Sequence, residues 1–243
     1  MRKYVPNSAT IGGEFRKLVP VAVEDDVVVP VPIGTPLNKI TGGAGTGAGT
    51  NNSGLISTTD ENLVVVFAGC EFPTAVPNAP TISDTAGWTW TLQDDQSYDT
   101  AANPRLRCRV WTAISDGQDN TITVLHGNGL GAGMPIGLSV IEVPGGALTL
   151  LNKSVDTDAA GDPSMTFGSA FEDGSAALVF ILAGANAVFG AITGYTQLAQ
   201  AGYASNAGRI GAFYDLTSPG AAASLSTNTF IIMVGYEVEQ AVK

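Results

Sequence analysis

One histidine, two cysteines and a scatter of carboxylates make up the chain's stock of reactive side chains. His126 follows Leu125 and precedes the glycine-rich stretch Gly127–Gly133, and the chain carries no Gly-x-Ser-x-Gly elbow, P-loop, His-Glu-x-x-His or Cys-x-x-Cys. A general base needs a proton to take within hydrogen-bond reach. His126 therefore reads as a strand-end residue, and no catalytic or cofactor-binding residue is assigned. The glycine run lacks the lysine and the following helix that a phosphate cradle uses. Asp94-Asp95 and Glu172-Asp173 are adjacent pairs. Neighbours on a strand point to opposite faces, so neither pair converges as glycosidase carboxylates must.

Three other groups could bind rather than react. Asp156, Asp158 and Asp162 fall on one short stretch with Gly161, and a tight loop of oxygens suits a hard cation such as a structural calcium. The glutamate that closes an EF-hand is missing, and a solvated turn is the competing reading. Trp88 and Trp90 share the parity of Leu92, which places them in the core rather than on a sugar-stacking surface. Arg105, Arg107 and Arg109 alternate with Leu106, Cys108 and Val110, and Trp111 continues the arginine parity, which would set it outside with them. Such a stripe reads either as an interface for an acidic partner or as a sheet face neutralised by acidic cross-strand neighbours.

The elements that would position these residues are strands. Leu63–Glu71, Gly87–Leu92, Arg105–Ala113, Asn120–Leu125, Ile136–Val143, Ala147–Leu151, Ala176–Ala183, Thr196–Ala199, Gly208–Leu216 and Thr229–Val238 carry alternating or continuous apolar patterns. Gly, Asn, Asp and Pro punctuate them, and no amphipathic helix of useful length intervenes. That pattern predicts an all-β, antiparallel sandwich of jelly-roll type over residues 51–243. Cys70 and Cys108 share parity with apolar neighbours and read as buried free thiols, consistent with folding in a cytoplasm.

Residues 1–50 differ. Five prolines forbid a long helix, and Thr41–Thr50 holds no side chain larger than Thr. They are expected to form an extended arm that the body does not need for folding. Within residues 1–23 Arg2, Lys3, Arg16 and Lys17 face Glu14 alone, whereas the whole chain carries −11. A basic arm on an acidic body suits the next copy or another acidic protein. The acidic body argues against nucleic acid or an anionic membrane as partner. The start lacks the apolar run of a cleaved signal, and the longest apolar run is too short to span a bilayer.

Ile82-Ser83-Asp84-Thr85-Ala86-Gly87-Trp88-Thr89-Trp90-Thr91-Leu92, then Arg109–Thr112, Asn120–Val124 and Leu138–Gly145, resemble in order the jelly-roll β-sandwich domain of tailed-bacteriophage virion proteins. In that family a Ser-Asp-x-x-Gly-x-x-Trp turn leads into a strand, followed by a Val-Trp strand and a threonine-rich strand. The chain departs from the pattern in its arginine stripe and long arm. The resemblance brings no catalytic residue. It implies a non-enzymatic virion component, a capsid decoration or minor head protein, with other virion proteins such as the major capsid protein as partners and homo-oligomers expected. A tail or fibre protein binding host glycans is the alternative.

Overall fold

A computed structural model of the chain describes residues 31–44, 49–72, 78–98, 105–126, 135–158, 163–167, 169–184, 188–203, 208–216, 223–224 and 230–242. Among these residues every regular element is a strand: β1 (Leu37–Ala44), β2 (Thr50–Ile56), β3 (Leu63–Phe72), β4 (Thr81–Asp84), β5 (Thr91–Tyr98), β6 (Arg105–Ile114), β7 (Asn120–Leu125), β8 (Ile136–Val143), β9 (Gly146–Asp158), β10 (Ser164–Met165), β11 (Ala176–Ala183), β12 (Thr196–Tyr203), β13 (Gly208–Asp215), β14 (Ala223–Ser224) and β15 (Ile231–Gln240). All ladders are antiparallel.

The strand order is that of a jelly roll, made twice. In the first unit β1-β8-β3-β6-β5 form one sheet and β2-β7-β4 the other. First, last, third and sixth strands thus lie together, opposed by second, seventh and fourth, with the fifth added at an edge. The second unit repeats this as β9-β15-β11-β13-β12 opposed by β10-β14. Among the described residues β4 has no counterpart there.

The equivalence holds residue by residue. Val66 pairs with Trp111 and Val140 in the first unit, and Val179 pairs with Phe213 and Gly235 in the second. The tripeptide Leu-Asn-Lys occurs at 37–39 and again at 151–153, each time with its Leu opposite a glutamate, Glu142 or Glu237, and a bulge just beyond. Ahead of the third strand, Asn62 donates its backbone N–H to Thr59, and Ser175 does the same to Glu172. Both turns use a left-handed residue, Glu61 (φ 62) and Gly174 (φ 83). Ahead of the fifth strand, Gly87 (φ 80) precedes Trp88 and Gly194 (φ 86) precedes Tyr195. A left-handed turn there aims the following aromatic inward, and both rings are buried.

The two five-stranded sheets face each other, with β1 over β12 and β5 over β9. Such reciprocal contact is what a pseudo-twofold arrangement produces. The shared core holds Leu63, Val65 and Phe67 against Leu178, Phe180 and Leu182. A Cβ on Gly69 would come within 2.6 Å of Leu182, so this glycine opens the space that Leu182 fills. The outer face of each large sheet is covered too, by β2-β7-β4 in the first unit and by Met165, Phe167, Phe189 and Ile192 in the second. Strands β3, β8, β11 and β15 are thereby buried on both sides, which is why they read as continuous apolar runs.

The boundary expected at residue 50 is corrected. Leu37–Ala44 is a strand of the first sheet, held by seven register pairs to β8. Glycines without side chains still complete a backbone ladder, and Lys39 and Ile40 anchor its start. The body is also two tandem jelly rolls, 37–143 and 146–240, instead of one. Gly87–Trp90 precedes the strand that begins at Thr91. Residues 1–30 of the expected arm lie outside the described residues.

Candidate functional site

The arginine stripe runs along β6, and its carboxylate partner sits on β5. Asp95 is the register partner of Arg109 and next but one to that of Arg107. Arg107 donates through Nε to Asp95 Oδ1 at 2.8 Å and through Nη2 to Oδ2 at 2.9 Å. Arg109 donates to Oδ2 from Nε at 2.9 Å and Nη2 at 2.7 Å, and from Nη1 to the carbonyl of Pro80 at 3.0 Å. Burial alone would raise the Asp95 carboxyl, but the hydrogen bonds and charges of the two guanidiniums outweigh it and hold the acid below its ordinary value. One carboxylate thus neutralises half of a two-arginine fork, and Arg105 is engaged as well.

Trp111 does not lie outside. It shares the arginines' side of the sheet, but β2-β7-β4 covers that side at its position, and it packs with Trp88, Ile122 and Val66. Parity identified the face correctly. What parity could not show was the second layer over part of that face.

The Ser83–Trp90 turn is locked by two residues. Asp84 Oδ1 accepts the backbone N–H groups of Gly87 at 2.6 Å and Trp88 at 3.1 Å, while Oδ2 accepts the Trp90 indole N–H at 2.7 Å. Asn120 Oδ1 accepts the backbone N–H groups of Thr85 at 3.0 Å and Ala86 at 3.1 Å. The Ser-Asp-x-x-Gly-x-x-Trp pattern is therefore a capped turn, with an Asp cap, a left-handed glycine and an indole returning to the cap, braced from β7 by Asn120. Trp88 is buried with its N–H on Asp116 at 3.0 Å, and its ring lies 5.8 Å from the half-buried Trp90.

The remaining candidates separate. Asp156 stands within β9, opposite Met233, and accepts the Ser164 backbone N–H at 2.6 Å. Asp158 ends the same strand and Asp162 lies outside the described residues, so the expected cation loop is in part a ladder strand. No three His, Cys, Asp or Glu side chains converge as metal ligands among the described residues. Arg2, Lys3, Arg16 and Lys17 also lie outside them. His126 closes β7, donating its backbone N–H to Gly49 at 2.6 Å. Cys70 and Cys108 are free and buried on opposite faces of one sheet, and burial pushes both thiols up.

Sequence reasoning missed the buried acids. Glu142 accepts the Thr59 backbone N–H at 2.8 Å and the Asn62 amide at 2.6 Å, with Lys39 Nζ 2.6 Å from its other oxygen. Its counterpart Glu237 accepts the Glu172 backbone N–H at 2.6 Å and the Asn152 amide. Each glutamate thus ties the last strand of its unit to the turn before the third. Lys153 is not needed at Glu237 and instead reaches Asp94 at 2.8 Å, where the Tyr236 hydroxyl also donates at 2.8 Å. Asp94 on the first unit is thereby fastened to two strands of the second. Asp94 and Asp95 face opposite sides, as adjacent strand residues do. The available signal was the repeated Leu-Asn-Lys and the repeated Glu-Val at 142–143 and 237–238, but the spacing between equivalent positions is not constant.

A cleft of about 160 Å³ lies among Glu172, Asp173, Ser175, Glu239, Gln240 and Val242, short of the roughly 300–1,000 Å³ of small-molecule sites. Beside it the Val31 N–H donates to Ala241 at 2.8 Å. No helix among the described residues is long and apolar enough to cross a membrane. Compared with known proteins, the chain matches no family model, no curated protein and no solved structure.

Proposed function

We propose that the chain is a non-enzymatic structural component of a bacteriophage virion, a capsid decoration or minor head protein anchored by its N-terminal arm. The observation that carries this reading is how the polar groups are used. Asp84, Asp94, Asp95, Asn120, Glu142 and Glu237 each accept hydrogen bonds that fix a turn, a strand or the junction of the two units. These six side chains serve the fold. The tandem jelly rolls share one core, and jelly rolls recur in viral shells and in lectins; that link is analogy of fold. The sequence resemblance to virion β-sandwiches turns it toward shells.

The arm's root fits the reading. Val31 is bonded to Ala241 beside Glu239 and Val242 of the acidic cleft, and the basic residues Arg2, Lys3, Arg16 and Lys17 precede it in the sequence. The alternative, a tail or fibre protein stacking sugars on tryptophan, needs an open indole face. Trp88 and Trp111 are buried and Trp90 is half-buried, which favours the shell. Purified particles separated on a density gradient test this by quantitative mass spectrometry. The chain should co-sediment at a fixed ratio to the major capsid protein. Its recovery only among soluble proteins would overturn the proposal.

A further inference from the structure

The two large sheets have four outer edges, β1, β5, β9 and β12. Open edges invite pairing with other chains, and proteins blunt them with charges, prolines or bulges. β1 carries Lys39, β5 carries Asp94 and Asp95, and β9 carries Lys153, Asp156 and Asp158. β12, Thr-Gln-Leu-Ala-Gln-Ala-Gly-Tyr, has no charged residue and no proline over eight residues. It occupies in the second unit the place that β5 holds in the first, so the molecule contains its own protected counterpart. Its inner side pairs with β13 from Thr196 to Tyr203 with a bulge between Gln197 and Ala199, matching the bulge of β5 between Leu92 and Asp94, so charge is what separates the two edges. No strand among the described residues pairs with its outer side. β1 approaches from the facing sheet without forming a ladder.

We propose that β12 is a homotypic docking edge, pairing antiparallel with β12 of a second copy about a twofold axis. Charge selects this occupant. Two chains of −11 repel over most of their surfaces, and the edge free of charge is where like copies approach at least cost. Antiparallel self-pairing is isologous: the same strand serves both sides, and the sheet continues through the contact. Side chains on this strand are short or uncharged, so no register sets like charges opposite each other. The inference does not depend on the virion reading, since the purified chain suffices to test it.

Sedimentation equilibrium of the full chain should give twice the 24.8 kDa of one copy. The double variant Gln197→Asp/Gly202→Asp sets acids on two exposed positions of the edge. It should raise the dimer dissociation constant about tenfold or more, while Thr91→Asp at the start of β5 leaves it unchanged. Amide hydrogen exchange of residues 196–203 in the unaltered chain gives a second readout that no variant's folding can confuse. Protection there should rise with protein concentration. A monomeric unaltered chain, a dimer indifferent to the double variant, or concentration-independent exchange would each overturn the proposal.

Discussion

Phe67 and Phe180 stack with ring centroids 5.0 Å apart and planes inclined by 20°. They occupy the same position on β3 and β11, so a residue of one jelly roll packs against its own counterpart in the other. Both are fully buried at the centre of the shared core. Truncating either to Ala should cost about 3–5 kcal/mol by the cavity it leaves. Because the rings are each other's neighbours, the double variant should cost less than the sum. Urea denaturation measures all three, and losses under about 1 kcal/mol would contradict the shared core.

The buried glutamates give a second prediction. Removing the Glu142 carboxylate strands Lys39, Asn62 and the Thr59 N–H together. Glu142→Ala should therefore destabilise by about 3 kcal/mol or more. Glu237→Ala should do likewise by freeing the Glu172 N–H and Asn152. Glu239, two positions on and partly exposed, serves as control, with Glu239→Ala expected within about 0.5 kcal/mol of the parent in thermal and urea melts.

A third concerns pH. Burial pushes the Glu71 carboxyl up to about 8 from its ordinary 4.5, and one of its oxygens has no hydrogen-bond partner among the described residues. The folded chain keeps this proton where the unfolded chain releases it, so the contribution of Glu71 to stability falls as pH rises from about 4.5 to about 8. Glu71→Gln should flatten that decline and stabilise the protein at neutral pH. Glu142 acts oppositely: burial would raise it, but Lys39, Asn62 and Thr59 outweigh burial and lower it. Its support is present above the ordinary carboxylate value and is lost as pH falls through its depressed one. Melts of the parent and Glu71→Gln from pH 4.5 to 8 separate the two; parallel curves would contradict the Glu71 assignment.

The arm supplies a fourth. A chain starting at Val31 keeps β1, the Lys39–Glu142 pair and the Val31–Ala241 hydrogen bond. It should melt cooperatively yet fail to join particles. A chain starting at Asn51 loses β1 and bares the edge of β8, so it should aggregate or melt without cooperativity. Light scattering and calorimetry of the two truncations decide this. A well-folded chain from Asn51 would return the boundary to residue 50.

Strands were legible in the sequence where both faces are buried, as in Ile136–Val143 and Ala176–Ala183, or where a buried face alternates with a polar one, as in Asn120–Leu125. All three have the expected bounds. β1, β2, β4, β10 and β14 were not, since Gly-, Asn- and Ser-rich strands draw their pairing from backbone and neighbours, which apolar periodicity does not report. At the arginine stripe the sequence left two readings. Asp95 supplies the cross-strand neutralisation for Arg107 and Arg109, and replacing all three arginines would now be expected to disturb the sheet itself. The doubled fold stayed hidden because loops of unequal length break the period, although Leu-Asn-Lys marks both copies.

Cryo-electron microscopy of intact particles tests the central claim most directly. The account predicts density for two jelly rolls packed sheet to sheet at regular sites on the shell, joined to it through the residues before Val31. A shell whose density is fully accounted for without this chain, or the chain attached through its β-sandwich with the arm pointing into solvent, would contradict it.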